Sequence, residues 1–176
     1  VPLKGQVTQW KSTQPDITKE IYPGFATWDI GTLEVGDVIM TEEGNDYKIE
    51  KTNTYPEANP ETQLYNFTLS GDHTYYADGL LTHNKCFRSG VKVVMEDTSL
   101  KNIEDVQLGD RLVGKDGEIN EVIKFHRPTL GQYNDTLKRP LRMASINGGG
   151  FDVSEDHMIM TTKGWKTPNP EACKLL

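Results

Sequence analysis

The stretch Leu80-Leu81-Thr82-His83-Asn84-Lys85-Cys86-Phe87 sets an imidazole, a carboxamide and a thiol almost side by side. An asparagine can sever its own chain. Its side-chain nitrogen attacks its own backbone carbonyl, closes a succinimide and releases the next residue as an amine. The reaction is slow unless the carbonyl is polarised and the leaving amine protonated. A histidine, which titrates near neutral pH, is the natural group for both tasks. His83 adjoins Asn84, and His73 lies in the same part of the chain. Cys86 offers a second reaction. Its thiolate can attack the carbonyl of Lys85 and turn an amide into a thioester, an N-to-S acyl shift. That step needs the amide hydrogen-bonded or strained and its nitrogen protonated as it leaves. Ser154-Glu155-Asp156-His157, in a turn ahead of Met158-Ile159-Met160, supplies a hydroxyl and an imidazole for it. By themselves these residues also admit plainer roles. A lone cysteine is commonly a small inert hydrophobe, a turn histidine is commonly satisfied by backbone, and Asn84-Lys85 could be a simple turn. Cys173 reads as structural and His126, with no motif around it, as a surface residue.

Strands must carry these groups. Val38-Ile39-Met40 leads through Glu43-Gly44-Asn45-Asp46 to Tyr47-Lys48-Ile49, and Leu112-Val113 leads through Lys115-Asp116-Gly117 to Val122-Ile123. Each reads as a hairpin around a glycine-containing turn. The two hairpins also open a longer repeat. Leu33-Glu34-Val35-Gly36-Asp37-Val38-Ile39 parallels Val106-Gln107-Leu108-Gly109-Asp110-Arg111-Leu112. Later, Leu64-Tyr65-Asn66-Phe67-Thr68-Leu69 parallels Leu141-Arg142-Met143-Ala144-Ser145-Ile146, and each copy then reaches a turn histidine, His73 or His157. The chain therefore reads as two related halves, about residues 30–84 and 103–165. Packing them about a pseudo-two-fold axis would bury the apolar face of each. Asp37 and Asp110, in equivalent turns, are expected to cap them through side-chain hydrogen bonds. Convincing helical patterns are scarce; residues 170–176 could form one short turn.

Composition agrees with a strand-rich domain and narrows the function. The 176 residues, 35% hydrophobic and 26% charged, suit a single folded domain. The 16 glycines and 9 prolines imply many turns. A net charge of −7 argues against binding nucleic acid or an anionic membrane. Lys138-Arg139 and Arg142 read as a solvated basic face. No apolar run approaches the ~20 residues of a membrane span, and no signal-peptide pattern opens the sequence. Two cysteines, Cys86 and Cys173, make no disulfide framework, so a reducing, cytoplasmic setting is expected. No metal-ligand spacing and no phosphate-binding loop is found, and no cofactor is expected. Residues 1–29 contribute Trp10, Tyr22, Phe25 and Trp28, expected to pack against the sheet.

Taken together, these motifs resemble the Hint (hedgehog/intein) family. The run from Cys86 to Gly90, with Val93-Val94-Met95 following, is similar to the start of an intein. Ser154-x-x-His157 resembles the family's Thr-x-x-His motif. Leu64 to Leu69, His73 to Gly79 and His83-Asn84 resemble its C-terminal end. The resemblance covers about residues 30–165. It implies an all-β Hint fold, a pseudo-two-fold horseshoe of curved strands, and self-processing by a single-turnover domain rather than a turnover enzyme. The halves stand in swapped order: residues 1–84 correspond to an intein's C-terminal half and 86–176 to its N-terminal half, joined by Lys85. The swap is a circular permutation of one domain, tolerable where natural ends lie close together. With one intervening residue, the Cα atoms of Asn84 and Cys86 can be at most about 7 Å apart.

The implied site is Cys86, Asn84, His83, His157, Ser154, His73 and Asn66, with cleavage around Lys85. Three positions depart from the family pattern. Asn66 stands where the family has an ionisable Asp, and Ser154 where it has Thr. Lys85 stands where ligation needs Cys, Ser or Thr; its amine, with a pKa near 10.4, is a poor acyl acceptor at neutral pH. Cleavage is therefore expected rather than ligation, acting on the protein's own flanking polypeptide. The chain is expected to be a monomer or a domain-swapped dimer. Two other readings remain open: the junction of two tandem Hint domains whose partner halves lie outside residues 1–176, and a degenerate Hint serving as a structural or interaction module.

Overall fold

A computed structural model describes residues 31–44, 46–56, 59–83, 86–131, 133–134 and 138–170. Asn84, Lys85, Cys173 and the expected roles of residues 1–29 and 171–176 lie outside the described residues.

The architecture is all-β. The first half contributes β1 (Gly31–Thr32), β2 (Val38–Met40), β3 (Asp46–Lys48), β4 (Thr52–Tyr55), β5 (Asn66–Leu69), β6 (Thr74–Ala77) and β7 (Leu80–His83). The second contributes β8 (Lys92–Val94), β9 (Leu100–Asn102), β10 (Arg111–Val113), β11 (Ile119–His126), β12 (Tyr133–Asn134), β13 (Arg139–Pro140), β14 (Met143–Ile146), β15 (Phe151–Ser154), β16 (Met158–Thr161) and β17 (Gly164–Thr167). Two 3-10 turns, Ile103–Asp105 and Lys115–Gly117, interrupt the strands. None of the described helices is long and apolar enough to cross a membrane.

Both expected hairpins form, β2 with β3 and β10 with β11. Their leading turns repeat bond for bond. Gly36 and Gly109, at φ 94 and 84, adopt the left-handed backbone that glycine allows. Their N–H groups donate to the carbonyls of Ile49 and Val122, and those residues' N–H groups donate back to the carbonyls of Asp37 and Asp110. Each aspartate also caps its turn, reaching back three residues: the Asp37 carboxylate accepts from the Glu34 N–H and that of Asp110 from the Gln107 N–H, both at 2.8 Å. Lysines then pair with each carboxylate, Lys166 with Asp37 and Lys101 with Asp110. Even the outward apolar residue recurs, Val35 and Leu108 being 65% and 63% exposed.

The halves are tied by reciprocal strand exchange. First-half β5 pairs antiparallel with second-half β11, and second-half β14 pairs antiparallel with first-half β4. The large sheet is also mixed, running β1-β17-β16-β7-β6-β8-β9, with β2 and β3 attached beside β16. One core cluster draws on both halves, from Ile39, Phe67 and Tyr75 to Leu112, Val122 and Ile159. Each half thus removes the other's apolar face from water, which neither could do alone.

Candidate functional site

The decisive geometry is one register line across three adjacent strands, with a histidine on it or one residue away from it. β7 lies between β6 and β16, antiparallel to both. His83, at the end of β7, is in register with Thr74 on one side and Met158 on the other. His73 directly precedes Thr74, and His157 directly precedes Met158. Three histidines therefore gather at one edge of the sheet. The His73 and His83 rings meet edge-on at 6.0 Å, and Trp165 from β17 packs against His83 at 5.9 Å.

Cys86 reaches the same region from the chain beyond β7. Phe87 is bridged on one side to Tyr65 and on the other to Val153, so the segment is held between the two halves. Two backbone hydrogen bonds with Tyr65, at 2.8 and 3.0 Å, fix it there. The Phe87 ring sits 4.3 Å from that of His157 and 6.2 Å from that of Tyr75. His157 Nδ1 lies 3.3 Å from the Cys86 carbonyl oxygen, and the Ser154 hydroxyl donates to the same oxygen at 3.5 Å. The imidazole and hydroxyl expected to act together thus meet at the main chain of Cys86. They touch the carbonyl after its Cα rather than the one before it, which belongs to Lys85. The Cys86 side chain is half-buried and free of any disulfide, packed against the apolar cluster of Leu64, Leu130 and Met143. Burial, and secondarily the charge of a nearby Cys86 thiolate, push the fully buried Tyr75 phenol well above its usual range.

His157 is fully buried. Its Nε2 lies 2.5 Å from the hydroxyl of Thr82, which is itself fully buried. A carbonyl oxygen can only accept, so the hydrogen between His157 and Cys86 sits on Nδ1. In the neutral ring Nε2 is then the acceptor, and Thr82 donates to it. The turn carrying Ser154 and His157 is closed by the His157 N–H donating to the Ser154 carbonyl at 2.9 Å. Its inner residue, Glu155, is 2% exposed and fully engaged. Arg139 grips the carboxylate with both Nη atoms at 2.6 and 3.0 Å, and the Arg142 N–H and Asn169 Nδ2 donate at 2.8 Å each. Burial alone would raise the Glu155 carboxyl, but these partners outweigh it and hold it below the usual range. The basic stretch expected to be a solvated face is therefore partly a clamp: Arg139 is drawn onto a buried carboxylate.

The other turn is built differently. His73 is buried, at φ 60, and burial depresses its pKa despite a backbone contact to Leu69 and the charge of Asp72. Asp72 Oδ1 accepts from the Thr74 N–H, the Thr74 hydroxyl and Asn120 Nδ2, at 2.7 to 3.0 Å. Asn66 stands at the start of β5, its Oδ1 accepting from the Phe67 N–H at 2.8 Å. Opposite it in register is His126, whose Nε2 is 2.9 Å from the Thr68 hydroxyl. His126 is thus half-buried and bonded, not the plain surface residue expected, because β11 folds onto β5. Among the described residues, no group of three or more His, Cys, Asp or Glu is arranged to hold a metal ion.

Of the residues singled out in the sequence, Cys86, His83, His157, Ser154 and His73 come to this one edge, and Asn66 lies next to Tyr65, the residue bonded to Phe87. Thr82, Glu155, Arg139, Asn120 and Trp165 were not foreseen. One signal was available for part of this. Ser70-Gly71-Asp72-His73 and Ser154-Glu155-Asp156-His157 share Ser-x-Asp-His, which flags residue 155 as a substitution within a repeated turn.

Residues 86–165 match the family model described as Hom_end-associated Hint. Over 81 residues the chain is 38% identical to the catalytic subunit of the V-type proton ATPase from Candida tropicalis, a match spanning 44% of this chain. It covers 7% of that relative's length, so the likeness is to a segment of the ATPase polypeptide. No solved structure gives a significant match.

Proposed function

We propose that this chain, which carries a Hint-type domain of the intein class, is a circularly permuted self-processing module that cuts its own backbone around Asn84-Lys85-Cys86. Cys86 Sγ attacks the Lys85 carbonyl carbon, the C–N bond to Cys86 breaks, and a proton is delivered to the departing nitrogen from the His157 side. Water or an added thiol then resolves the thioester. Asn84 cyclises with help from His83 and His73, cutting ahead of Lys85. If both cuts occur, Lys85 is released and the two halves remain associated through their exchanged strands.

The observation that carries this reading is the convergence of His157 Nδ1 and Ser154 Oγ on the main chain of Cys86. The edge-on contact of the His73 and His83 rings, at the end of β7, supports the asparagine step. Reciprocal pairing of β5 with β11 and of β4 with β14 supports both halves serving one site. The partner is the protein's own polypeptide; nucleic acid and membrane play no part in the reading.

The test is intact mass after folding, with dithiothreitol or hydroxylamine added. The expected result is a thiol-dependent cut before Cys86 that Cys86→Ala removes, and a cut after Asn84 that Asn84→Ala removes. A single unchanged mass under all conditions would favour the second reading, a degenerate Hint acting as a structural module. That reading draws on the apolar packing of Cys86 and on Asn66, which carries no charge.

A further inference from the structure

The His157 ring joins the two reactive segments of the chain, with the Thr82 hydroxyl at one nitrogen and the Cys86 main chain at the other. Thr82 stands on β7, two positions before Asn84. Thr82 Oγ1 also lies 3.4 Å from the Met158 carbonyl, a second acceptor for its hydrogen. Thr82 and Met158 sit on the paired strands β7 and β16, and neither Thr82 nor His157 has an exposed face.

We infer that Thr82 is a positioning residue that swivels its hydroxyl hydrogen so that His157 can release a proton from Nδ1. In the neutral ring, Nδ1–H donates to the Cys86 carbonyl, and Nε2 accepts from Thr82. When the ring takes up a second proton from water, Nε2–H donates to Thr82 Oγ1, and Thr82 turns its hydrogen to the Met158 carbonyl. The acyl shift then balances. The C–S bond forms between Cys86 Sγ and the Lys85 carbonyl carbon, and the thiol proton leaves to water. The C–N bond breaks, and the Nδ1 proton passes to the Cys86 nitrogen. The ring is left neutral with its hydrogen on Nε2, still donating to Thr82. A hydroxyl serves both states because it donates and accepts. A carboxylate would hold the ring cationic, and an aliphatic side chain would take the hydroxyl partner of Nε2 away in a dry site, a desolvation cost in either state. A valine has nearly the shape of threonine and keeps the strand packed, so the hydroxyl can be removed without opening a cavity.

The rate consequence rests on the self-processing reading; the hydrogen-bond assignment does not. Two measurements therefore separate their failures. In the chain carrying both Cys86→Ala and Asn84→Ala, which removes both cuts, ring nitrogen-15 shifts of His157 are expected to show a neutral tautomer with the hydrogen on Nδ1 and a hydrogen-bonded Nε2. Adding Thr82→Val should move the Nε2 resonance to that of an unbonded nitrogen, and Thr82→Ser should restore it. In the otherwise unaltered chain, Thr82→Val should slow dithiothreitol-induced cleavage before Cys86 by about tenfold, the rate equivalent of one lost hydrogen bond, and Thr82→Ser should recover most of it. A hydrogen on Nε2 in the neutral parent ring, or an Nε2 resonance indifferent to Thr82→Val, overturns the inference. So does parental cleavage in Thr82→Val, or a serine that rescues neither readout. A parent chain that never cleaves defeats the self-processing reading, while the nitrogen shifts still decide for or against Thr82.

Discussion

The turn at residues 70–73 and the turn at residues 154–157 deliver their histidines to the same edge of the same sheet, from opposite sides of β7. Their sequences differ at one inner position, Gly71 against Glu155. In the first turn the absent side chain leaves room for Asn120 from β11: a methyl group at Gly71 would land on the Asn120 Oδ1 atom. The turn is then braced by neutral amide bonds from Asn120 to Asp72 and to the Thr74 carbonyl. In the second turn the side chain is present and does the bracing itself, through the ion pair with Arg139. The two histidines diverge accordingly. The His73 ring meets that of His83, and the His157 ring meets the Cys86 main chain. A repeated turn can thus set its histidine against two different neighbours by changing who holds it.

This division of labour is challenged most severely by removing each ring in turn. His157→Ala should slow thiol-dependent cleavage before Cys86 by roughly a hundredfold or more, the range of a lost acid–base group, and leave asparagine cyclisation measurable. His73→Ala should do the reverse. Equal losses of both products in either variant, followed by mass spectrometry, would erase the distinction. Next in size is the brace. Glu155→Ala strands the Arg139 guanidinium and two further donors, and is expected to cost about 3 kcal/mol of stability in urea unfolding. Asn120→Ala removes only neutral hydrogen bonds and should cost about 1 kcal/mol. A larger loss at Asn120 than at Glu155 would contradict the ranking.

The smallest effect is a pH signature. The folded Glu155 carboxyl is held below its ordinary 4.5, so its contribution is complete above that pH and is lost as pH falls through the folded value. Burial holds His73 below its ordinary 6.5, so the fold keeps this ring neutral while the unfolded chain protonates it. Stability therefore begins to fall once pH drops below 6.5, well before Glu155 responds. His126, also depressed by burial, acts in the same window. Comparing the parent with His73→Gln by urea unfolding should isolate the upper limb, and Glu155→Gln the lower one. A His73→Gln curve parallel to the parent's between pH 7 and 5 would count against the buried, neutral ring.

Much of the fold could be read along the chain because its turns are local. The Val35-Gly36-Asp37 and Leu108-Gly109-Asp110 stretches encode a left-handed glycine and a backward-reaching aspartate within five residues, and the structure repeats both. The candidate site was legible for a similar reason: His83 and Cys86 are near neighbours, and His157 announces itself in a turn. What escaped was the contact across sequence distance. Thr82 meets His157 from 75 positions away, and β5 meets β11 through a pairing that no local pattern specifies. Arg139 looked like a solvated charge because nothing around it in sequence shows that the Glu155 carboxylate is buried.

Central to the proposed chemistry is that the two halves of a single chain compose one reactive centre. Its most direct test is the rate of thiol-induced cleavage of the purified chain over about a hundredfold range of concentration. A first-order rate constant that does not change on dilution is predicted, because every reacting group comes from the same molecule. A rate that rises with concentration, or cleavage that begins only when a separate partner half is added, would contradict it.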